Sequence, residues 1–239
     1  MGLFTEEEYT NLVPSSNIKK VRDKKILVGN EFLFKRRDWI PFSEMDNRRK
    51  IITHPLFDTA FDKIVKLHRP THKIAFISLC TSTRPYDSSR KWGTFKQLFG
   101  SKCDLIVSSN AGLIPSEYWQ SYPFLNYDGG HEAGNDEVYW KQNRKKLKLR
   151  LWRFFNSHNY DYIIANFRPK IKNIALIRKV LSKLKNDGKI KEFAIVPSDN
   201  LYRDIQDRGF PSGMIFPDLD EKVLEALHYH IQKFDSRSK

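Results

Sequence analysis

Apolar positions along this chain recur with two periods, and the places where each period starts and stops predict the elements. From His54, the segment PLFDTAFDKIVKLH puts Phe57, Phe61, Ile64, Val65 and Leu67 on one helical stripe, which Pro70 ends. KIAFISL (73–79), CDLIVSS (103–109), YDYIIANF (160–167) and KEFAIVP (191–197) are short runs, apolar on both faces, as buried strands are. RKWGTFKQLFG reads as a short helix closed by Gly100 in a left-handed cap. A long basic helix from Glu137 to about Asn156 carries Trp140, Leu147, Leu151 and Phe154. KNIALIRKVLSKLKND forms an amphipathic helix ended by Gly188, Asn200 to Asp207 a short one, and Asp218 to Phe234 the last. Helices alternating with two-sided strands predict an α/β fold, a mostly parallel sheet flanked by helices in a Rossmann-like three-layer sandwich.

Two regions depart from this alternation. Residues 110–134 are long, aromatic and irregular, with one short helix expected at Ser116–Gln120. Residues 1–50 are rich in charge, contain Pro14 and Pro41, and have only the short apolar piece KILVGNEFLF. They are expected to form a basic N-terminal arm or small subdomain, with residues 51–239 as a catalytic-type core domain.

Composition sharpens the functional picture. The 239 residues, 40% of them hydrophobic, suffice for one such domain with a small extension. Lysine plus arginine outnumber aspartate plus glutamate by 42 to 28, and a net charge of +14 favours a nucleic-acid partner over a membrane. The excess is clustered, which singles out Lys35, Arg36 and Arg37, then Arg144, Lys145, Lys146, Lys148 and Arg150, as candidate phosphate contacts. No apolar run approaches the roughly 20 residues of a membrane span, and the acidic start is no signal peptide, so a cytoplasmic location is expected. Two cysteines exclude a disulfide framework or a cysteine-rich zinc site. The histidines show no metal-ligand spacing, and neither a Walker loop nor a GxGxxG motif occurs, so no cofactor is expected.

In a parallel sheet the loops after the strands build the site. The first of them, LCTSTRPYDSSRKW, has no glycine before Gly93 and offers a thiol, a phenol, hydroxyls and a guanidinium. Cys80 suits a nucleophile, with a small buried hydrophobe as the plainer alternative. Arg84 suits a phosphate clamp or a surface salt bridge. Pro85 and Tyr86 either fix the loop or line the site, while Ser88 and Ser89 suit helix capping as well as substrate contact. Asp128 reads as a proton acceptor or a turn residue. Ser109, Asn126, His131 and Asp199 complete the candidates at strand ends, Asp199 also suiting an N-cap.

The spacing Cys80-x3-Arg84-Pro85-Tyr86-x2-Ser89-x2-Trp92 resembles the signature of the archaeosine synthase core domain, Pro-Cys-x3-Lys-Pro-Tyr-x2-Ser-x2-His. That family is related to tRNA-guanine transglycosylases. The likeness extends to the entry HPLF, to Gly112-Leu113-Ile114-Pro115, to Tyr122-Pro123 and to Asn126-Tyr127-Asp128, and covers roughly residues 54–234. Leu79 replaces the first proline of the signature, Arg84 its lysine and Trp92 its histidine. If that histidine moves a proton in the family, His131 is the candidate substitute here.

The resemblance implies a transferase that joins lysine, or another amine, to the nitrile of 7-cyano-7-deazaguanine in tRNA or DNA. A radical S-adenosylmethionine enzyme would be a possible partner for completing archaeosine. Residue chemistry accommodates such a reaction. A Cys80 thiolate attacks a nitrile to give a thioimidate, Asp128 takes a proton from the amine, and Tyr86 and Ser89 stabilise the developing nitrogen anion. Arg84, Pro85, Ser88, Trp92, Ser109, Asn126, His131 and Asp199 would hold substrate. Two other readings stand beside it: a non-catalytic nucleic-acid-binding or partner subunit of the same fold, and a base-exchange (deoxy)ribosyltransferase with Asp128 as nucleophile.

Overall fold

Among the described residues, five strands form one sheet in the order β3-β2-β1-β4-β5: β1 Ile74–Leu79, β2 Asp104–Ser109, β3 Gly112–Pro115, β4 Tyr162–Asn166 and β5 Glu192–Val196. The computed structural model describes residues 29–40, 54–126, 137–169, 171, 173–209 and 217–237. β1 is central and pairs in parallel with β2 and β4, β4 pairs in parallel with β5, and only β3 runs antiparallel, against β2. The α/β class, the mostly parallel sheet and its flanking helices are as the sequence predicts.

Helices cover both faces: α1 Pro55–Leu67, α2 Arg90–Phe99, α3 Glu137–Ser157, α4 Ile174–Asn186, α5 Asp199–Arg208 and α6 Glu221–Ser236. Register assigns their sides. Phe76 on β1 lies opposite Ile164 on β4, and Ile74 opposite Tyr162, so these side chains share a face. On that face Phe76 meets Phe95 and Phe99 of α2, while Tyr162 stacks on Phe234 of α6 at 4.6 Å. Ala75 and Asp104 point the other way, towards the end of α1 and α3, where His68 stacks on Phe154 at 5.3 Å. Asp58 ties these two helices together by accepting from Lys146 at 2.6 Å and Arg150 at 2.9 Å.

Local departures from the sequence reading have physical causes. Ser109–Gly112 turns the chain straight back into β3, a strand within the segment expected to be irregular. Gly112 makes this possible: its φ of +139° disfavours side chains, and a Cβ there would lie 3.4 Å from the Phe61 ring. Gly100 is right-handed, with φ −62° and ψ −19°, not the left-handed cap expected. Its need for glycine is steric, since a Cβ would meet the Lys96 carbonyl oxygen at 2.6 Å. Leu67, placed on the buried stripe, is 53% exposed because α1 ends there and His68 takes the inward position. The last helix begins at Glu221, capped by Asp220, after a separate 3-10 turn over Pro217–Leu219.

Residues 29–40, read as part of the arm, lie against the α/β body. Leu33 and Phe34 join the core, Lys63 donates to the Leu33 carbonyl at 2.5 Å, and Trp39 stacks on Tyr122 at 4.6 Å.

Candidate functional site

The chain leaves β1 through α2 towards β2 on one side, and later builds β4 and β5 on the other. The direction of winding therefore reverses between β1 and β4, and a crevice is expected outside the carboxyl ends of these two strands. Cys80 directly follows β1, its backbone N–H still donating to the Ser108 carbonyl at 3.0 Å, and its thiol is free and half-buried. Cys103 is a different kind of thiol. It is buried at the entry to β2, and burial pushes its pKa far up, leaving it an inert packing group.

Beside Cys80 the structure gathers residues that sequence reasoning missed. Ser78 and Asn166 face each other across the β1–β4 pair. Lys91, in the first turn of α2, is 2% exposed, and its Nζ donates to Ser78 Oγ at 3.3 Å and Asp218 Oδ2 at 3.2 Å. Asp218 Oδ1 lies 3.7 Å from Nε of Arg168, which follows β4 and is about one-third exposed. Two cations thus share one buried carboxylate. Asn166 is 1% exposed, and among the described residues neither its amide oxygen nor its nitrogen has a hydrogen-bond partner, nor has the buried Thr81 hydroxyl. A buried lysine in a helix's first turn was a signal in the sequence, because α2 presents Lys91 beside Trp92 and Phe95 on its core side. The partner Asp218 lies 127 positions away and was not legible.

The motif loop is tied mainly to itself. Arg84 is 4% exposed, donates to the carbonyls of Thr81 and Thr83, and lies 4.1 Å over the Tyr86 ring. Neither the exposed salt bridge nor an outward clamp describes it. Pro85 is half-buried and leads into a 3-10 turn over Tyr86–Ser88. Tyr86 is fully buried, edge-on to Trp119. Ser89 caps α2, accepting from Trp92 N–H at 3.1 Å and donating to the Tyr86 carbonyl at 2.7 Å, while Ser88 is half-buried in the turn.

Trp92, a candidate substrate contact, is instead core. It is 0% exposed, its ring packs against Phe95 and Trp119, and its indole N–H donates to the Leu79 carbonyl at 3.1 Å. It therefore fixes the end of β1 from within the core.

The remaining candidates scatter. Ser109 accepts from Ala111 N–H at 2.9 Å and shapes the turn into β3. Asn126 is buried. Asp199 is exposed as the first residue of α5, and Ser198, not Asp199, is the N-cap, accepting from Leu201 N–H. Asp128 and His131 lie outside the described residues.

Among the basic residues, Lys146 and Arg150 are engaged by Asp58, and Arg150 is 5% exposed and also donates to the Asn110 carbonyl. These two brace α1 against α3. Arg144, Lys145 and Lys148 remain exposed on α3, as do Lys35, Arg36 and Arg37 around a 3-10 turn, with Arg36 over Trp39 at 4.6 Å.

At the opposite, amino end of the strands lies a second polar network. Asp104 accepts from Thr71 Oγ1 at 2.5 Å, Tyr160 at 2.9 Å and His72 Nδ1 at 2.7 Å, and Tyr160 joins His68, which pairs with Glu117. Burial would raise the Asp104 pKa, but these hydrogen bonds outweigh it and hold the carboxyl below its ordinary range. His158 is pushed down, chiefly by burial. A cleft of about 440 Å³ opens here between His68–Lys73 and Ser157–Asn159. The network joins the amino ends of β1, β2 and β4, a bracing role.

Comparisons with known proteins bear on the family and not on the chemistry. None of the curated proteins matches the chain. The crystal structure of AF0587, a protein of unknown function, aligns with a TM-score of 0.41 and 15% identity, over 59% of this chain and 44% of that one. The chain thus spans less than half the length of that neighbour. The family model for a domain of unknown function, DUF5591, matches residues 59–198, from within α1 to the cap of α5, and so takes in the motif loop and the carboxyl ends of β1 and β4. The chain belongs to the DUF5591 family.

Proposed function

We propose that the chain is a nucleobase-modifying transferase that adds an amine, lysine first among candidates, to the nitrile of 7-cyano-7-deazaguanine held in nucleic acid, tRNA before DNA. The observation that carries this reading is the free, half-buried Cys80 thiol at the end of β1, beside the crevice where the sheet changes its direction of winding. Fixed neighbours support it. Trp92 locks the Leu79 carbonyl, Ser89 caps α2, and Arg84 closes the loop on itself, so the thiol is presented from an ordered turn.

In the reaction, the Cys80 sulfur bonds to the nitrile carbon and the nitrile nitrogen takes up a proton, giving a thioimidate. The amine then bonds to the same carbon. The carbon–sulfur bond breaks, the thiolate leaves, and the proton lost by the amine restores the balance. The product is an amidine, formed without an external oxidant or reductant. Asp128 and His131 stay candidates for proton transfer. Arg168 and Lys91, with a single carboxylate between them, favour negative charge arriving in the crevice.

Intact mass spectrometry of the protein with 7-cyano-7-deazaguanine tests this directly. The expected result is a mass gain of one whole base, absent in Cys80→Ala and discharged by lysine. No adduct and no amine-dependent product would sink the chemistry and leave a nucleic-acid-binding subunit.

The polymer contact is separately testable. Arg144→Glu, Lys145→Glu and Lys148→Glu together should weaken tRNA binding at low salt by about tenfold or more and flatten its salt dependence. Titrations between 50 and 200 mM salt would show this, and unchanged slopes would remove α3 from the interface. Lys146 and Arg150 are unsuitable controls, since their loss frees Asp58 and loosens α1.

A further inference from the structure

We infer that the β1–β4 crevice reads the lactam edge of a nucleobase, a ring N–H beside a ring carbonyl, and that Asn166 is its specificity-determining residue. The inference rests on the proposed substrate and names the group by which this chain would select it.

An amide buried to 1% exposure with both polar atoms unpartnered is rare, because each such atom gives up water and gains nothing. It lies at the carboxyl end of β4, opposite Ser78, at the reversal of winding where ligands bind this class of sheet. A carboxamide offers one acceptor and two donors in a single plane. Its full complement is a planar group with a donor next to an acceptor, the arrangement on a base edge.

Asn alone would accept either an oxo or an amino purine, since the amide can turn over. The surroundings break the tie. Lys91 reaches Ser78 directly across from Asn166, and Arg168 lies two residues beyond Asn166, where Phe167 N–H still bonds Val196 in extended pairing. Both cations are donors only, and they share one carboxylate. An exocyclic amino group facing them adds a third donor, whereas a ring carbonyl supplies the missing acceptor. Charge and hydrogen-bond count therefore favour a 6-oxo base over a 6-amino base. The unpartnered Thr81 hydroxyl, one residue past Cys80, offers a further contact.

The test uses 7-deazaguanine and 7-deazaadenine, neither of which carries a nitrile, in calorimetric titrations of the full chain. The wild type and Cys80→Ala should both prefer 7-deazaguanine by about ten- to hundredfold, the range for one bidentate pair. Asn166→Ala and Asn166→Val should lose that preference while keeping the wild-type near-ultraviolet dichroism. Equal affinity for the two bases, no binding of either, or a preference that survives both substitutions would overturn the inference. Lactam preference without a Cys80 adduct on the nitrile base would uphold Asn166 and defeat the proposed chemistry. An adduct without any base preference would do the reverse.

Discussion

Lys91→Met should destabilise the fold by about 3–5 kcal/mol, the usual cost of removing one partner of a buried ion pair. The substitution shortens the side chain only by its terminal atom and keeps its packing beside Trp92, so the loss is mainly electrostatic. Asp218, whose side chain is 7% exposed, would retain only Arg168 among the described residues, at 3.7 Å and beyond hydrogen-bond reach. Adding Asp218→Leu should restore most of the loss, because an apolar pair needs no compensation in a dry site, and the partly exposed Arg168 can turn to water. Urea unfolding at neutral pH of the single and double variants measures both effects. A neutral Lys91→Met would show that Arg168 alone satisfies Asp218, and would remove the excess charge from the crevice. If the double variant is as stable as the wild type yet fails to bind base, the ion pair is kept for the ligand and not for the fold.

Asp104→Ala should cost about 2–4 kcal/mol, since Thr71, His72 and Tyr160 lose their common acceptor and the Tyr160 hydroxyl is buried. The same carboxylate sets part of the acid response. Its folded pKa lies below the value of about 3.9 expected when unfolded, so its contribution is complete above that pH and is lost as pH falls further. Asp58 behaves alike: burial opposes the shift, but its bonds to Lys146 and Arg150 win. His158 acts earlier. Its folded pKa is depressed, mainly by burial, so the unfolded chain takes up a proton first as pH drops below about 6.5, and stability declines from there. Unfolding free energy should therefore fall in two stages on acidification. Asp104→Ala should shrink the lower stage without removing it, because Asp58 remains. A single stage near neutrality in the wild type would contradict the Asp104 assignment.

Much of the architecture was legible before any coordinates. The strands KIAFISL, CDLIVSS, YDYIIANF and KEFAIVP are found within a residue or two of their predicted limits. A run of residues apolar on both faces has no stable place except between two layers of helices. The loop after β1 was also marked by its own composition, and Cys80 is found at the strand end where the pattern put it. Local rules failed where a neighbour distant in sequence decides. β3 was missed because its pairing depends on β2 and on the space Phe61 leaves at Gly112. The burial of Trp92 and Arg84 was missed because only their chemistry is visible in one dimension.

The sequence by itself determined the class of fold, the limits of four of its strands and the position of the thiol, because hydrophobic periodicity and turn chemistry act over a few residues. Only the tertiary structure decided what surrounds that thiol. Lys91, the Asn166–Arg168 stretch and Asp218 come from three separate segments, and their meeting depends on how β4 and the turn before α6 dock against β1. Burial and charge pairing are properties of that docking. No single segment carries them, which is why the reading of Asn166 had to wait for the fold.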